Sequence, residues 1–131
     1  MKKFKNSIAN FLRFLFGKTP KDFKTIPIFI NNYNRLTTTL LLINALQKRG
    51  YFNIHILDNQ STFPPLLEFY KTTDCKVHYL KKNYGSKAFW KSNLWLQYLN
   101  SYLVYTDSDV VPLESCPDTI LEYFFNLLKK Y

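Results

Sequence analysis

Tyr102-Leu-Val-Tyr-Thr-Asp-Ser-Asp-Val-Val-Pro112 is the stretch on which the fold reading turns. It opens as an apolar, β-branched and aromatic run, the pattern of a buried strand. It closes on two acids spaced Asp-x-Asp. Side chains two apart on a strand point the same way, so Asp107 and Asp109 are predicted to project together from its carboxyl end. Two carboxylates side by side repel unless a cation lies between them. Hard oxygen donors suit Mg²⁺ or Mn²⁺, and those ions suit phosphate oxygens. The alternative is a polar strand end whose acids only cap the next turn.

Working outward, short apolar runs alternate with helical periodicity. Ile26-Pro-Ile-Phe-Ile30 reads as a first strand and Asn31 to Asn34 as a turn. Leu36 to Arg49 reads as a helix, with Leu36, Leu40 and Ile43 on one stripe, widened by Leu42 and Leu46, and Gly50 as its stop. Asn53 to Asp58 is a second strand. Pro64 and Pro65 open a helix, where their missing N–H groups would be unpaired anyway. Lys76 to Leu80 is a third strand. After a loop at Asn83 to Ser86, a helix is expected through Tyr98. A last helix is expected from Pro117 to Leu128. Strands alternating with helices predict an α/β fold: a mainly parallel sheet of about four strands with helices on both faces. Ligands of such sheets sit beyond the carboxyl ends of the strands. The polar turn after the first strand, Asp58 after the second, and Asp107 with Asp109 after the last would share that rim.

The chain has 131 residues, 47% of them hydrophobic, enough for one domain with a real core. Lys and Arg number 18 against 9 acids, a net charge of +9 that favours phosphorylated substrates, polyanions or anionic membrane surfaces. Met1 to Lys24 differs in character. Phe4, Ile8, Phe11, Leu12 and Leu15 fall at helical spacing among Lys2, Lys3, Lys5 and Arg13, which predicts a basic amphipathic segment at 1–24, ahead of a domain at 25–131. Two expectations stand level for this segment: peripheral membrane contact through residues 1–18, or a helix packed on its own domain or covering a partner. Arg13 interrupts the apolar region and no small-residue cleavage site follows, so a signal peptide fits poorly. Two cysteines make no disulfide framework and point to a reducing cytoplasm. No run is long and apolar enough to span a bilayer.

Several chemistries lack their motifs. There is no Gly-x-Gly-x-x-Gly after the first strand, no Gly-rich Lys-Ser/Thr loop and no Gly-x-Ser-x-Gly elbow. Cys75 and His78 have a ligand-like spacing, but they straddle the start of a strand, point to opposite faces and have no second pair. His55, between Ile54 and Ile56, reads as a partly buried structural histidine.

Four segments in order resemble the donor half of GT-A-fold glycosyltransferases, which move a sugar from a nucleotide diphosphate to an acceptor. They are Ile26 to Arg35, Ile54 to Thr62, Asn83 to Gly85, and Val104 to Asp109. The resemblance covers about Ile26 to Leu113. It implies that the turn carrying Asn32, Tyr33 and Arg35 borders the nucleobase and ribose. Asp58 would bind the base or ribose, and the loop Asn83, Gly85 and Lys87 would pass close to the nucleotide. Asp107 and Ser108 would lie near the ribose, and Asp107 and Asp109 would hold Mn²⁺ or Mg²⁺ against the diphosphate. The implied partners are a nucleotide-diphosphate sugar, a UDP-sugar first, and an acceptor glycan or lipid, with no nucleic acid. The chain departs from the family at Asn59 and Gln60, where a second acid and a glycine are common. It also ends soon after Asp-x-Asp, before the half that holds the acceptor pocket and general base, so the expectation is a truncated product, a fragment or the donor module of a split protein, with little or no turnover alone.

Two other readings compete. A non-enzymatic basic module would bind a membrane surface or nucleic acid, on the strength of the +9 charge and the interleaved aromatics and lysines of Tyr79 to Lys91. A sugar nucleotidyltransferase shares the architecture but needs a Gly- and Arg-rich loop that Asn31 to Arg35 does not supply.

Overall fold

Strand β1, Ile28–Asn32, sits inside the sheet with neighbours on both sides, and almost every residue in it is buried. The computed structural model describes residues 19–131. The chain runs from β1 through α1 (Thr37–Lys48), β2 (Ile54–Asp58), α2 (Pro64–Thr72) and β3 (Lys76–Tyr79), then through a short helix α3 (Ala88–Lys91), β4 (Val104–Asp107) and α4 (Ile120–Lys130). The four strands are parallel, in the order β3-β2-β1-β4. The chain thus winds outward from β1 to β3, then crosses back to place β4 on the other side of β1. This is the α/β, parallel, four-stranded arrangement read from the sequence.

Period-two alternation sorts the strand side chains onto two faces. Ile28, Ile30, Ile54 and Ile56 pack with Leu42, Ile43 and Leu46 of α1, Leu66 and Tyr70 of α2, and Leu121 of α4. Phe29 and Leu57 face the other way, onto Ala88, Phe89 and Leu94. On that second face the uninterrupted helix expected through Tyr98 is replaced by three short pieces: turns at Gly85–Lys87 and Leu94–Tyr98 flank α3. The break falls at Asn93, whose φ of 62° is left-handed, a conformation asparagine tolerates better than most residues. Its aromatics wrap the sheet as a cap rather than lining one stripe.

The expected division at residue 24 falls inside the folded body. Phe23 packs edge-on against Phe125, with ring centroids 5.2 Å apart. Lys24 donates to the carbonyl of Arg49 at 2.6 Å and to that of Asp118. The amphipathic reading of residues 1–18 lies outside the described residues. Arg49, at the end of α1, is buried: its guanidinium donates to the carbonyls of Ala45 at 2.8 Å and Leu113 at 2.9 Å. It ties the end of α1 to the loop before α4.

His55 and His78 meet across β2 and β3, stacked, with Nδ1 of one 2.9 Å from Nε2 of the other. Cys75 joins the opposite core face. Burial, then the neighbouring His78 and Lys76, lowers the pKa of His55 from 6.5 to about 4, and burial also lowers that of His78. A base whose folded pKa is depressed takes up its proton more readily when unfolded. The stability tied to neutral His55 is therefore complete above about pH 6.5 and is lost as the pH falls toward about 4. An NMR titration of the His55 ring is expected to show it still neutral at about pH 5, with a urea midpoint that falls from about pH 6.5 downward. A ring titration at its ordinary value refutes this.

Candidate functional site

Parallel sheets of this winding leave a crevice beyond the carboxyl ends of the strands, at the point where the strand order reverses. Here that point lies between β1 and β4. A cleft of about 350 Å³ opens there. Asn31 and Asn32 at the end of β1, then Tyr33 and Arg35, form one wall. Asp107, Ser108 and Asp109 form the opposite wall, and Asn59 with Asn83, Gly85 and Ser86 completes the lining.

The two acids do not meet by strand alternation, as the spacing predicts. The strand ends at Asp107, and Ser108 and Asp109 belong to a turn. Ser108 is buried and its N–H donates to the carbonyl of Asn31 at 3.1 Å, which extends the β1–β4 ladder by one bond. The Val110 N–H bonds back to the Asp107 carbonyl at 3.3 Å, and the chain turns over the crevice. Asp109 is held by an ion pair with Arg35 from across the cleft. Asp107 Oδ1 is 3.5 Å from the Asn31 amide nitrogen.

A chain of asparagine amides shapes the rest. Asn59 donates to Asn31 Oδ1 at 2.6 Å and accepts the Tyr84 N–H at 3.0 Å, while Asn31 donates to the Gly85 carbonyl at 3.1 Å. These bonds fasten the 83–86 loop to the ends of β1 and β2. Gly85 stands at a φ of 61°, the left-handed region that glycine enters without steric cost. Sequence reading passed over Asn59 except as a departure from a motif. A side chain that pairs with residues 28 earlier and 25 later has no local signature.

Asp58 does not line the cleft. It is buried, its Oδ1 accepting from the Tyr70 hydroxyl at 3.0 Å and its Oδ2 from the Ser61 N–H at 3.1 Å. Burial and then the charge of Asp58 raise the pKa of Tyr70 well above its ordinary value. Tyr70 in turn accepts from Asn32 Nδ2 at 2.9 Å, and the same nitrogen donates to the Arg35 carbonyl at 3.1 Å. With both amide hydrogens engaged, Asn32 Oδ1 is pinned as an acceptor, buried and without a donor. Lys87 also stands outside the lining, at the end of the Gly85–Lys87 turn.

On a chain of net charge +9, two acids and a single arginine line this crevice. Among the described residues no group of three or more His, Cys, Asp or Glu side chains is placed to hold a metal. The donor set fits a divalent cation that takes one or two carboxylates from the protein and the rest from phosphates and water, which is the habit of Mg²⁺. Arg35 neutralises Asp109 in the free protein, so such a cation has to displace it.

Fold and crevice together define a parallel α/β domain with a polar, acid-lined site at its strand-order reversal. Comparison with family models finds none that matches the chain, and comparisons with curated proteins and solved structures find no match either.

Proposed function

We propose that the crevice between β1 and β4 is the donor site of a glycosyltransferase-like domain, which binds a nucleotide-diphosphate sugar and passes the sugar to an acceptor glycan or lipid. The observation that carries this reading is the shared cleft: the β1 turn, the 83–86 loop and the Asp-x-Asp turn meet at one opening. Asn32 and Tyr33 border the base and ribose, with Asn32 Oδ1 offering its free acceptor to a base N–H or ribose hydroxyl. Asp58 acts from behind: through Tyr70 it aims Asn32. Asn83, Gly85 and Ser108 flank the nucleotide. Asp107 and Asp109 hold Mn²⁺ or Mg²⁺ against the diphosphate. A cation there stabilises the leaving group as it gains charge. Without one, the two carboxylates repel a diphosphate.

The proposal sets this activity in the cytoplasm at the inner membrane face. Cys75 and Cys116 are free thiols. Among the described residues, no helix is long and apolar enough to cross a membrane.

Calorimetry with UDP-sugars is expected to give binding with Mn²⁺ and, since the protein supplies only two carboxylates, binding weaker by roughly tenfold or more without it. Mn²⁺ alone is expected to bind weakly. A folded sample that binds no common nucleotide sugar, with or without metal, sinks the reading. Salt-sensitive nucleic-acid binding that survives Asp109→Ala supports the basic-module alternative instead.

A further inference from the structure

Arg35 and Asp109 reach across the crevice from opposite walls, one on the turn after β1 and the other on the turn after β4. Among the described residues that line the opening, Arg35 is the only cation, and Asp107 and Asp109 are the only anions. One positive charge against two negative leaves the lining at a net −1. A divalent cation held there reverses the sign. The free crevice therefore repels a diphosphate, and the loaded crevice attracts one. The two ends of Arg35 are held differently. Its carbonyl accepts from Asn32 Nδ2 at 3.1 Å and from Thr39 Oγ1 at 2.6 Å, which fixes the backbone at the entry to α1. Its guanidinium is about half exposed and is bonded to Asp109 through Nη1. An ion pair so exposed contributes little and changes partner at small cost. The residue is an arm on a fixed pivot.

We propose that Arg35 changes partners when the crevice loads. It neutralises Asp109 in the free protein, and once Asp109 turns to a divalent cation it grips the diphosphate of the nucleotide sugar. The inference rests on the donor-site reading and adds that cation and nucleotide bind as one coupled event. The planar fork of a guanidinium makes two parallel bonds to phosphate oxygens, so the released side chain suits its second partner. Each ligand removes an obstacle to the other. The cation takes Asp109 from Arg35, and the diphosphate gives the freed guanidinium a new anion. Such coupling is reciprocal: each ligand strengthens the other by the same factor. The same exchange keeps the metal-free crevice closed to phosphate and other free anions.

The test is calorimetry of the full chain with Mn²⁺ and UDP, singly and together. In Arg35→Gln, Mn²⁺ alone is expected to bind severalfold more tightly, and UDP at saturating Mn²⁺ roughly tenfold more weakly. Opposite signs in one variant are the signature, since damage to the crevice wall weakens both. Association of Mn²⁺ with UDP in solution is common to parent and variant and cancels in the comparison. Arg35→Lys keeps the charge and loses the fork, so it is expected to hold Mn²⁺ as the parent does and to recover only part of the UDP binding. A metal-free measurement checks the exchange separately. Asp109→Asn frees the guanidinium without a cation, so UDP alone is expected to bind it severalfold more tightly than it binds the parent. Asp109→Asn/Arg35→Gln is expected to lose that gain. If Arg35→Gln binds UDP at saturating Mn²⁺ as the parent does, the role of Arg35 is overturned and the donor site stands. If Mn²⁺ alone binds Arg35→Gln no more tightly than the parent, the exchange is overturned. A folded parent that binds UDP neither with nor without Mn²⁺ overturns the donor-site reading for a uridine nucleotide, and this inference with it.

Discussion

Replacing Phe29 by alanine is expected to lower the free energy of unfolding by about 3–5 kcal/mol, a large share of what a domain of this size commands. Phe29 is fully buried at the centre of the sheet's second face. Its ring lies 4.6 Å from His55, 4.8 Å from Phe89 and 4.9 Å from Tyr98, centroid to centroid. Those neighbours come from β2, α3 and the turn after α3. None can follow an alanine inward without leaving its own strand or turn, so a cavity remains. The consequence reaches the crevice. Phe89 anchors α3 directly after the Gly85–Lys87 turn, and that turn joins the 83–86 wall. Urea denaturation measures the loss. Amide exchange at Tyr84, bonded to Asn59, is expected to speed up more than at Asn59 itself, bonded to the Asn32 carbonyl. A stability change below about 1 kcal/mol shows that the aromatic cap repacks freely and removes this account of the second face.

Asp109→Asn is expected to separate binding from stability. In the free protein the substitution breaks only the pair with Arg35, whose two side chains are about half exposed. Such pairs contribute about 0–1 kcal/mol, so the urea midpoint is expected to move little. Under the donor-site proposal, the same change takes away one of two carboxylates that hold the cation. Losing even a supporting group around a metal costs about 10–100-fold in affinity, so Mn²⁺-dependent binding of a UDP-sugar is expected to fall by at least roughly a hundredfold. Arg35→Gln tests the other half of the pair. With no guanidinium to displace, Mn²⁺ alone is expected to bind severalfold more tightly; if Arg35 also serves the nucleotide, sugar-nucleotide affinity drops while this rise in metal affinity remains. Calorimetry reads both quantities. If Asp109→Asn binds nucleotide and metal as the parent does, the Asp-x-Asp turn is a structural ion pair and the cation site is lost from the proposal.

The strands and the helices between them were legible because their signals are local. Ile28, Ile30, Ile54 and Ile56 alternate with residues of the opposite face, and Leu42, Ile43 and Leu46 recur at the helical period. Gly50, at a φ of 85°, marks the stop of α1. Periodicity failed from Lys87 to Tyr98. There a dense run of aromatics satisfies a helical stripe and a broken cap equally well, and the sheet surface it covers decides between them.

The crevice was legible as a set of strand-end residues and illegible as a set of contacts. Asp107 and Asp109 do face one opening, but through a turn bonded to Asn31 rather than through strand alternation. Asp58, which sequence grouped with them, is drawn inward because Tyr70, twelve residues later in the chain, offers a hydroxyl from α2. Arg49, His78 and Asn59 have roles set by partners far away in sequence.

Alternation, helical spacing and turn chemistry act within a few residues, so the amino-acid order alone determined the α/β class, the parallel winding and the end of the sheet where polar groups gather. Which acid meets solvent, which asparagine keeps a free oxygen and which arginine reaches across the crevice depend on how separate elements lie against one another. Burial and hydrogen-bond completion across those elements are properties of the packed chain, and only the tertiary structure decided them.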